Sequence, residues 1–143
     1  MAERVFQSFE EFWPFYVKEH QKQSTRILHF VGTTAAMACV AGGIFTKRRW
    51  LLAVAPVAGY GPAWISHFFI EKNRPASFKN PIWSFRADLV MWTKMIRFQM
   101  TDEVERVLRE DRLANAAEAA ERETAAHAND GNAPATSPSE VVN

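Results

Sequence analysis

The chain has 143 residues and a formal net charge of +1, and 48% of it is hydrophobic and 13% aromatic. That length bounds it to one domain, and the balanced charge offers no basic face, so no nucleic-acid partner is expected. A single cysteine, Cys39, excludes disulfides within the chain and any cysteine-based zinc site.

The first residues, "MAERVFQSFEEF", carry acidic groups early and no apolar core, so they do not read as a signal peptide. Residues 8–18 predict a short amphipathic helix. Ser8 and Glu11 have capping-box spacing, Phe9, Phe12, Trp13 and Tyr16 crowd one face, and Pro14 is expected to kink the run or reset its start. An aromatic helix of this kind suits a membrane interface as well as a protein core.

Residues 27–45 contain no Asp, Glu, Lys or Arg and are rich in small residues, among them Gly32, Ala36, Ala41 and Gly43. Small residues let helices pack closely in lipid. "TKRR" follows, and then residues 50–70 form a second uncharged run. Each run is near the length that crosses a bilayer, and a domain this small could hardly bury two helices that are apolar all round. A membrane hairpin is the expectation, its second helix bent at Pro56 and at "GYGP", residues 59–62. "TKRR" at one end opposes Lys18, Lys22, Arg26, Lys72 and Arg74 at the other. The larger group leans that end towards the cytoplasm.

Pro75 and Pro81 bracket a turn. Residues 82–100 then place Ile82, Phe85, Leu89, Trp92 and Ile96 on one stripe, with Arg86, Lys94 and Arg97 off it and Asp88 beside it. This predicts an amphipathic helix lying along the membrane surface. From Thr101, a plausible N-cap, a charged helix is expected, and the stretch "HANDGNAPATSPSEVVN" from His127 reads as disordered. The fold class is therefore all-α: an integral membrane hairpin of two spans, flanked by interfacial helices and followed by a polar tail. Residues 1–100 form the membrane-embedded domain and residues 101–143 the charged helix and tail.

Three histidines stand out. His20 closes the first helix, His29 lies near the start of the first span, and His67 lies near the end of the second. Antiparallel pairing of the spans would bring all three to one boundary, with Glu71 one turn from His67. Two readings remain open at this point: interfacial polar residues, or a set of neutral imidazoles able to bind Fe, Zn, Cu or Ni. Metal-bound histidines need an acceptor for the second ring nitrogen, and Glu19, Glu71 and Asp88 are candidates. Arg26, Lys72 and Arg74 gather at the same end, either snorkelling to headgroups or holding a substrate carboxylate in an Arg fork.

"FYVKEHQKQSTRILHFVGT" and "AWISHFFIEKNRPASF" resemble a membrane family formerly known only as a domain of unknown function. It is typified by a fungal protein that metabolises phytosphingosine to odd-numbered fatty acids. The matching elements are an aromatic segment ending in His, a second His at the start of the first span, and His-x-x-x-Glu-Lys-x-Arg-Pro-Ala. The resemblance implies an Fe(II)-dependent dioxygenase of fatty-acid α-oxidation, with His20, His29 and His67 as iron ligands and Glu71, Arg74 and Pro75 in the following motif. Its substrates would be a 2-hydroxy fatty acid and molecular oxygen, and its product an aldehyde one carbon shorter. The implied location is an integral membrane, that of the endoplasmic reticulum in a eukaryote or the inner membrane in a bacterium. The chain departs from the typical fungal member in three ways. It lacks extra hydrophobic segments between the His pair and the His-x-x-x-Glu motif, Asn73 replaces a basic residue, and Asp88 has no secure counterpart. So short a form invites homo-oligomerisation to enclose its site. The alternative function is a non-enzymatic membrane hairpin that binds lipid or a partner protein.

Overall fold

The computed structural model describes residues 6–130, among which there are five α-helices and no strand. Helix α1 spans Phe9–Lys18, α2 Gln23–Phe45, α3 Trp50–Ile65, α4 Pro81–Ile96 and α5 Met100–Asp130. Ser8 caps α1 as expected, its Oγ accepting from Glu11 N at 3.2 Å, while Glu11 Oε2 reaches back one residue beyond the cap and accepts from Gln7 N at 3.1 Å. Pro14 lies inside α1 without ending it. It removes one backbone bond, but the helix is held by burial of Phe12, Trp13, Tyr16 and Val17 rather than by its ladder alone.

Helices α2 and α3 form the hairpin, and their antiparallel pairing can be read from glycine contacts. Gly43 meets Leu52 near the loop, and Gly32 meets Gly59 farther down. A Cβ on Gly32 would lie 2.7 Å from the Gly59 carbonyl oxygen, so glycine there sets how closely the two backbones approach. Helix α2 begins at Gln23 after Lys22 and puts His29 in its second turn. It is long and apolar enough to cross a membrane, with a mean hydropathy of 1.7 and only 17% of that stretch buried. Helix α3 has 16 residues and keeps both Pro56 and Pro62 inside it. It approaches span length only with the π-helical turn Ser66–Glu71 that continues it. One helix of the expected pair is therefore of span length by itself.

The chain leaves the π turn through Lys72, whose φ of 61° is left-handed. This reverses the backbone so that Asn73 N donates to His67 O at 3.1 Å. A 3-10 turn, Ala76–Phe78, leads to α4. The expected apolar stripe of α4 points outward at its ends, with Ile82 80% and Phe85 57% exposed. The packed face is made instead of Ser84, Ala87 and Met91. Helix α4 stops at Ile96 instead of running to Met100, because Phe98 adopts a left-handed φ of 56°. Thr101 consequently lies inside α5 rather than capping it. Met100, Val104 and Val107 join α1 and α4 in one apolar cluster beside the foot of the hairpin. The compact unit extends to Leu108, past the change of composition at residue 101. A second unit begins at Arg109; its helical part, which includes His127, is almost entirely exposed. The disorder expected of the tail falls mostly on residues 131–143, outside the described residues.

Candidate metal centre

His20 follows α1, His29 lies on α2, and His67 lies in the π turn after α3. The antiparallel hairpin brings the last two to the same level, and the short link from α1 to α2 folds His20 between them. Each of the three offers a ring nitrogen within 4.8 Å of those of the other two. The ring centroids are 4.5, 4.6 and 5.1 Å apart, with planes nearly perpendicular at 85°, 83° and 90°. All three side chains are buried, with exposures of 0%, 5% and 2%.

The hydrogen bonds settle which nitrogen faces inward. His20 Nδ1 lies 2.6 Å from Tyr16 O, His29 Nδ1 2.8 Å from Asp88 Oδ1, and His67 Nδ1 2.8 Å from Asn73 Oδ1. A carbonyl and a carboxylate can only accept. Asn73 Oδ1 is an acceptor too, because Asn73 Nδ2 is already donating to Glu19 O at 3.1 Å and Glu19 Oε2 at 2.6 Å. Each Nδ1 thus carries a hydrogen, and in the neutral ring Nε2 is then the lone pair. Among the buried atoms without a protein partner are His20 Nε2, His29 Nε2 and Ser84 Oγ. A buried acceptor left bare costs about 1–3 kcal/mol. Ser84 and the three histidines line one cavity of about 10 Å³, the room of a water-sized body. Three imidazoles with fixed outer bonds and inward lone pairs could hold a metal ion. The donor set fits it.

Electrostatics agree with that state. Burial, reinforced by His29 and His67, holds the His20 imidazole well below its ordinary pKa, so it is neutral at pH 7, as a metal ligand must be. Burial also raises the Tyr16 phenol, and the carboxylate of Asp88 adds to the rise. Tyr16 OH donates to Asp88 Oδ1, the oxygen that also receives His29. Glu19 lies above the usual carboxylate range through burial, which outweighs the bond from Asn73.

The sequence model of the family described as "2-hydroxy-palmitic acid dioxygenase Mpo1-like" matches residues 6–100. The chain belongs to that family. The match covers α1 to α4 and ends where α5 begins. No curated protein and no solved structure gives a match.

In this Mpo1-like chain the other candidate residues fall in different places. Glu71 is outside the histidine cluster; its Oε1 accepts from Lys22 N at 2.9 Å, and Lys22 Nζ donates to Ile70 O. The π turn breaks the α-helical relation on which a His67–Glu71 pairing relied. Arg26 is buried, and its Nη1 donates to the carbonyls of His20, at 3.0 Å, and Gln21, so it braces the loop that carries His20. Lys72 and Arg74 are exposed. Of the three acidic residues put forward as imidazole partners, Asp88 takes that role directly and Glu19 indirectly through Asn73. Sequence reasoning did not assign Tyr16, Asn73 or Ser84 to the site. The Tyr16–His20 spacing of four residues was a usable signal, since it stacks the two rings at 4.0 Å.

Proposed function

We propose that this protein is a membrane-embedded, iron-dependent dioxygenase that cleaves the C1–C2 bond of 2-hydroxy fatty acids. The observation that carries the proposal is the pair of buried, partnerless Nε2 atoms on His20 and His29, in a cluster completed by His67. A purely structural hairpin has no use for inward lone pairs held in one tautomer. Family membership supplies the reaction class, and the apolar surface of the hairpin, where Val31, Ile44, Phe45, Val57 and Ile65 are all exposed, supports a bilayer setting.

His20, His29 and His67 would hold the iron. Iron with open coordination positions supplies binding and reduction of dioxygen and chelation of a hydroxy-carboxylate. In the net reaction C2 becomes the carbonyl carbon of an aldehyde one carbon shorter and C1 leaves as carbon dioxide. The two electrons and two protons left over reduce dioxygen to hydrogen peroxide, which completes the balance for an aldehyde product; where both oxygen atoms are instead incorporated, the same substrates balance as the acid one carbon shorter, carbon dioxide and water. The chain's own part is positioning. Asp88, Asn73 and the Tyr16 carbonyl fix the rings, Arg26 fixes the loop of His20, and Lys72 and Arg74, both exposed, are the cations left free of that bracing to attract the acid's carboxylate. Glu71, expected one turn from His67 and in the motif that follows it, has a bracing role in this reading.

Elemental mass spectrometry on detergent-purified protein loaded anaerobically with Fe(II) tests the metal, and turnover of a 2-hydroxy fatty acid with dioxygen tests the reaction. The expected result is about one iron per chain in the wild type, as a single three-imidazole site requires, with iron and activity lost together in His67→Ala. Full activity in His67→Ala, or no specific metal in a folded wild type, would overturn the proposal.

A further inference from the structure

A second cavity, of about 690 Å³, adjoins the candidate metal centre. His29, Tyr60, Ala63 and Asp88 line both spaces, so the two meet at these side chains. The groove runs along the α2–α3 seam, with Phe85, Asp88 and Leu89 of α4 beside its histidine end, and reaches Ile44, Phe45 and Leu52 near the hairpin loop. Its polar groups are all at the histidine end: His29, Thr33, Tyr60 and Asp88. From Ala36 to Phe45 on α2, and from Gly59 back to Leu52 on α3, the lining is wholly apolar. A cavity with polar groups at one end only is shaped for an amphiphile with one polar head and one tail.

Its length can be read from α2. Sixteen residues separate His29 from Phe45 on one unbroken helix, about 24 Å at a rise of 1.5 Å per residue. With C–C bonds of about 1.5 Å in a zigzag, each methylene advances roughly 1.25 Å, so the groove spans up to roughly nineteen carbons. The lining between its ends includes the small residues Ala36, Ala41, Ala55 and Gly59.

We propose that this groove holds the single unbranched tail of the acid whose head lies at the histidines, and that Ile44, Phe45 and Leu52 set the longest chain accepted. The inference rests on the function proposed above and adds the specificity determinant to it. Ala41 is the decisive position. It is exposed on α2 twelve residues beyond His29, about 18 Å along the helix. A large side chain there closes the distal part of the groove without entering the packed hairpin.

The test uses 2-hydroxy acids of ten and sixteen carbons with a photoreactive diazirine at the terminal carbon, irradiated with the full-length protein in nanodiscs and mapped by mass spectrometry. The longer probe is expected to label Val40, Ile44, Phe45 or Leu52, and the shorter one Met37 or Pro56. In Ala41→Trp the distal labels disappear, and kcat/KM for the longer acid falls relative to the shorter by about tenfold, the loss of roughly two buried methylenes. Identical labels for both lengths, or labels off the groove in a protein that binds iron and turns over the acid, overturn the groove and leave the reaction standing. Length-dependent labelling of the groove in a protein that takes up no iron supports the groove and overturns the reaction.

Discussion

Replacing Asp88 with asparagine isolates the contribution of a charge that never enters the ligand set. Asp88 Oδ1 receives His29 Nδ1–H at 2.8 Å and also the Tyr16 hydroxyl. The asparagine carbonyl has the same shape and two lone pairs, so it can accept both hydrogens and keep the fold. What disappears is the negative charge that makes His29 a stronger donor to a metal. A charge-assisted bond is about twice as strong as a neutral one, which puts the difference near 1–1.5 kcal/mol. Measured losses for outer partners of metal-bound histidines run at about 10–100-fold in affinity. The expected effect of Asp88→Asn is therefore a tenfold rise in the metal dissociation constant, ~1.4 kcal/mol, with little change in Tm of the metal-free protein. Competition with a chromophoric chelator gives the constant. Tyr16→Phe is the companion: it deletes a donor to the same oxygen and keeps the charge, so it should move affinity less than Asp88→Asn. Wild-type affinity in Asp88→Asn would refute the idea that the carboxylate tunes His29.

Gly32→Ala is expected to destabilise the hairpin by about 1–3 kcal/mol, the usual range for overpacking, because its Cβ would sit 2.7 Å from Gly59 O and 3.3 Å from Ala58 O, both backbone atoms. Gly61→Ala, with nothing within 4 Å of the added carbon, should be neutral or gain up to about 1 kcal/mol from helix propensity; thermal unfolding in one detergent compares the two, and equal losses would refute the close-approach argument. The third expectation concerns Glu103, which accepts from Trp13 Nε1 at 2.7 Å, Arg106 Nη2 at 2.6 Å and Lys94 Nζ at 3.2 Å. Burial alone would raise its carboxyl, but these three bonds reverse that and bring it to about 2. A lowered folded value means the stabilisation is present above the unfolded pKa near 4.5 and fades as pH falls from about 5 to about 2. Allowing for solvent screening at half-exposed Arg106, the amount is about 1–2 kcal/mol. Wild type should therefore lose more stability over that interval than Glu103→Gln, and parallel pH profiles would refute the assignment.

The parts of this structure legible in the sequence are those where one physical signal dominates. Uncharged runs gave the two hairpin helices, Ser8 and Glu11 gave the start of α1, and antiparallel pairing of the runs placed His29 beside His67. What escaped depends on backbone geometry without a residue signature. The π turn at Ser66–Glu71 carries no distinctive composition, yet it separates Glu71 from His67. The left-handed turn after it falls on Lys72 instead of a glycine, so nothing in "EKNRPA" shows that Asn73 returns to the His67 ring. The packed face of α4 was masked for another reason. Ile82 and Phe85 look outward while Ser84, Ala87 and Met91 make the buried face, so the apolar stripe that periodicity picks out is not the face that packs.

The carboxylates around the histidines bear on what the site would accept. Glu19 receives Asn73, Glu71 receives the backbone of Lys22, and Asp88 receives His29 and Tyr16. None of the three belongs to the ligand cluster, which consists of imidazoles alone. Three neutral ligands leave the two positive charges of a divalent ion uncompensated in the first coordination sphere, where burial makes charge imbalance expensive. Under the proposed reaction the missing negative charge arrives with the substrate, as the carboxylate of the hydroxy acid. That arrangement would discriminate between lipids without Arg26, which is committed to the carbonyls of His20 and Gln21. An alcohol or ester of the same tail length would fill the groove equally well yet leave the charge unbalanced, so the head group, more than the tail, should separate substrate from ordinary membrane lipid.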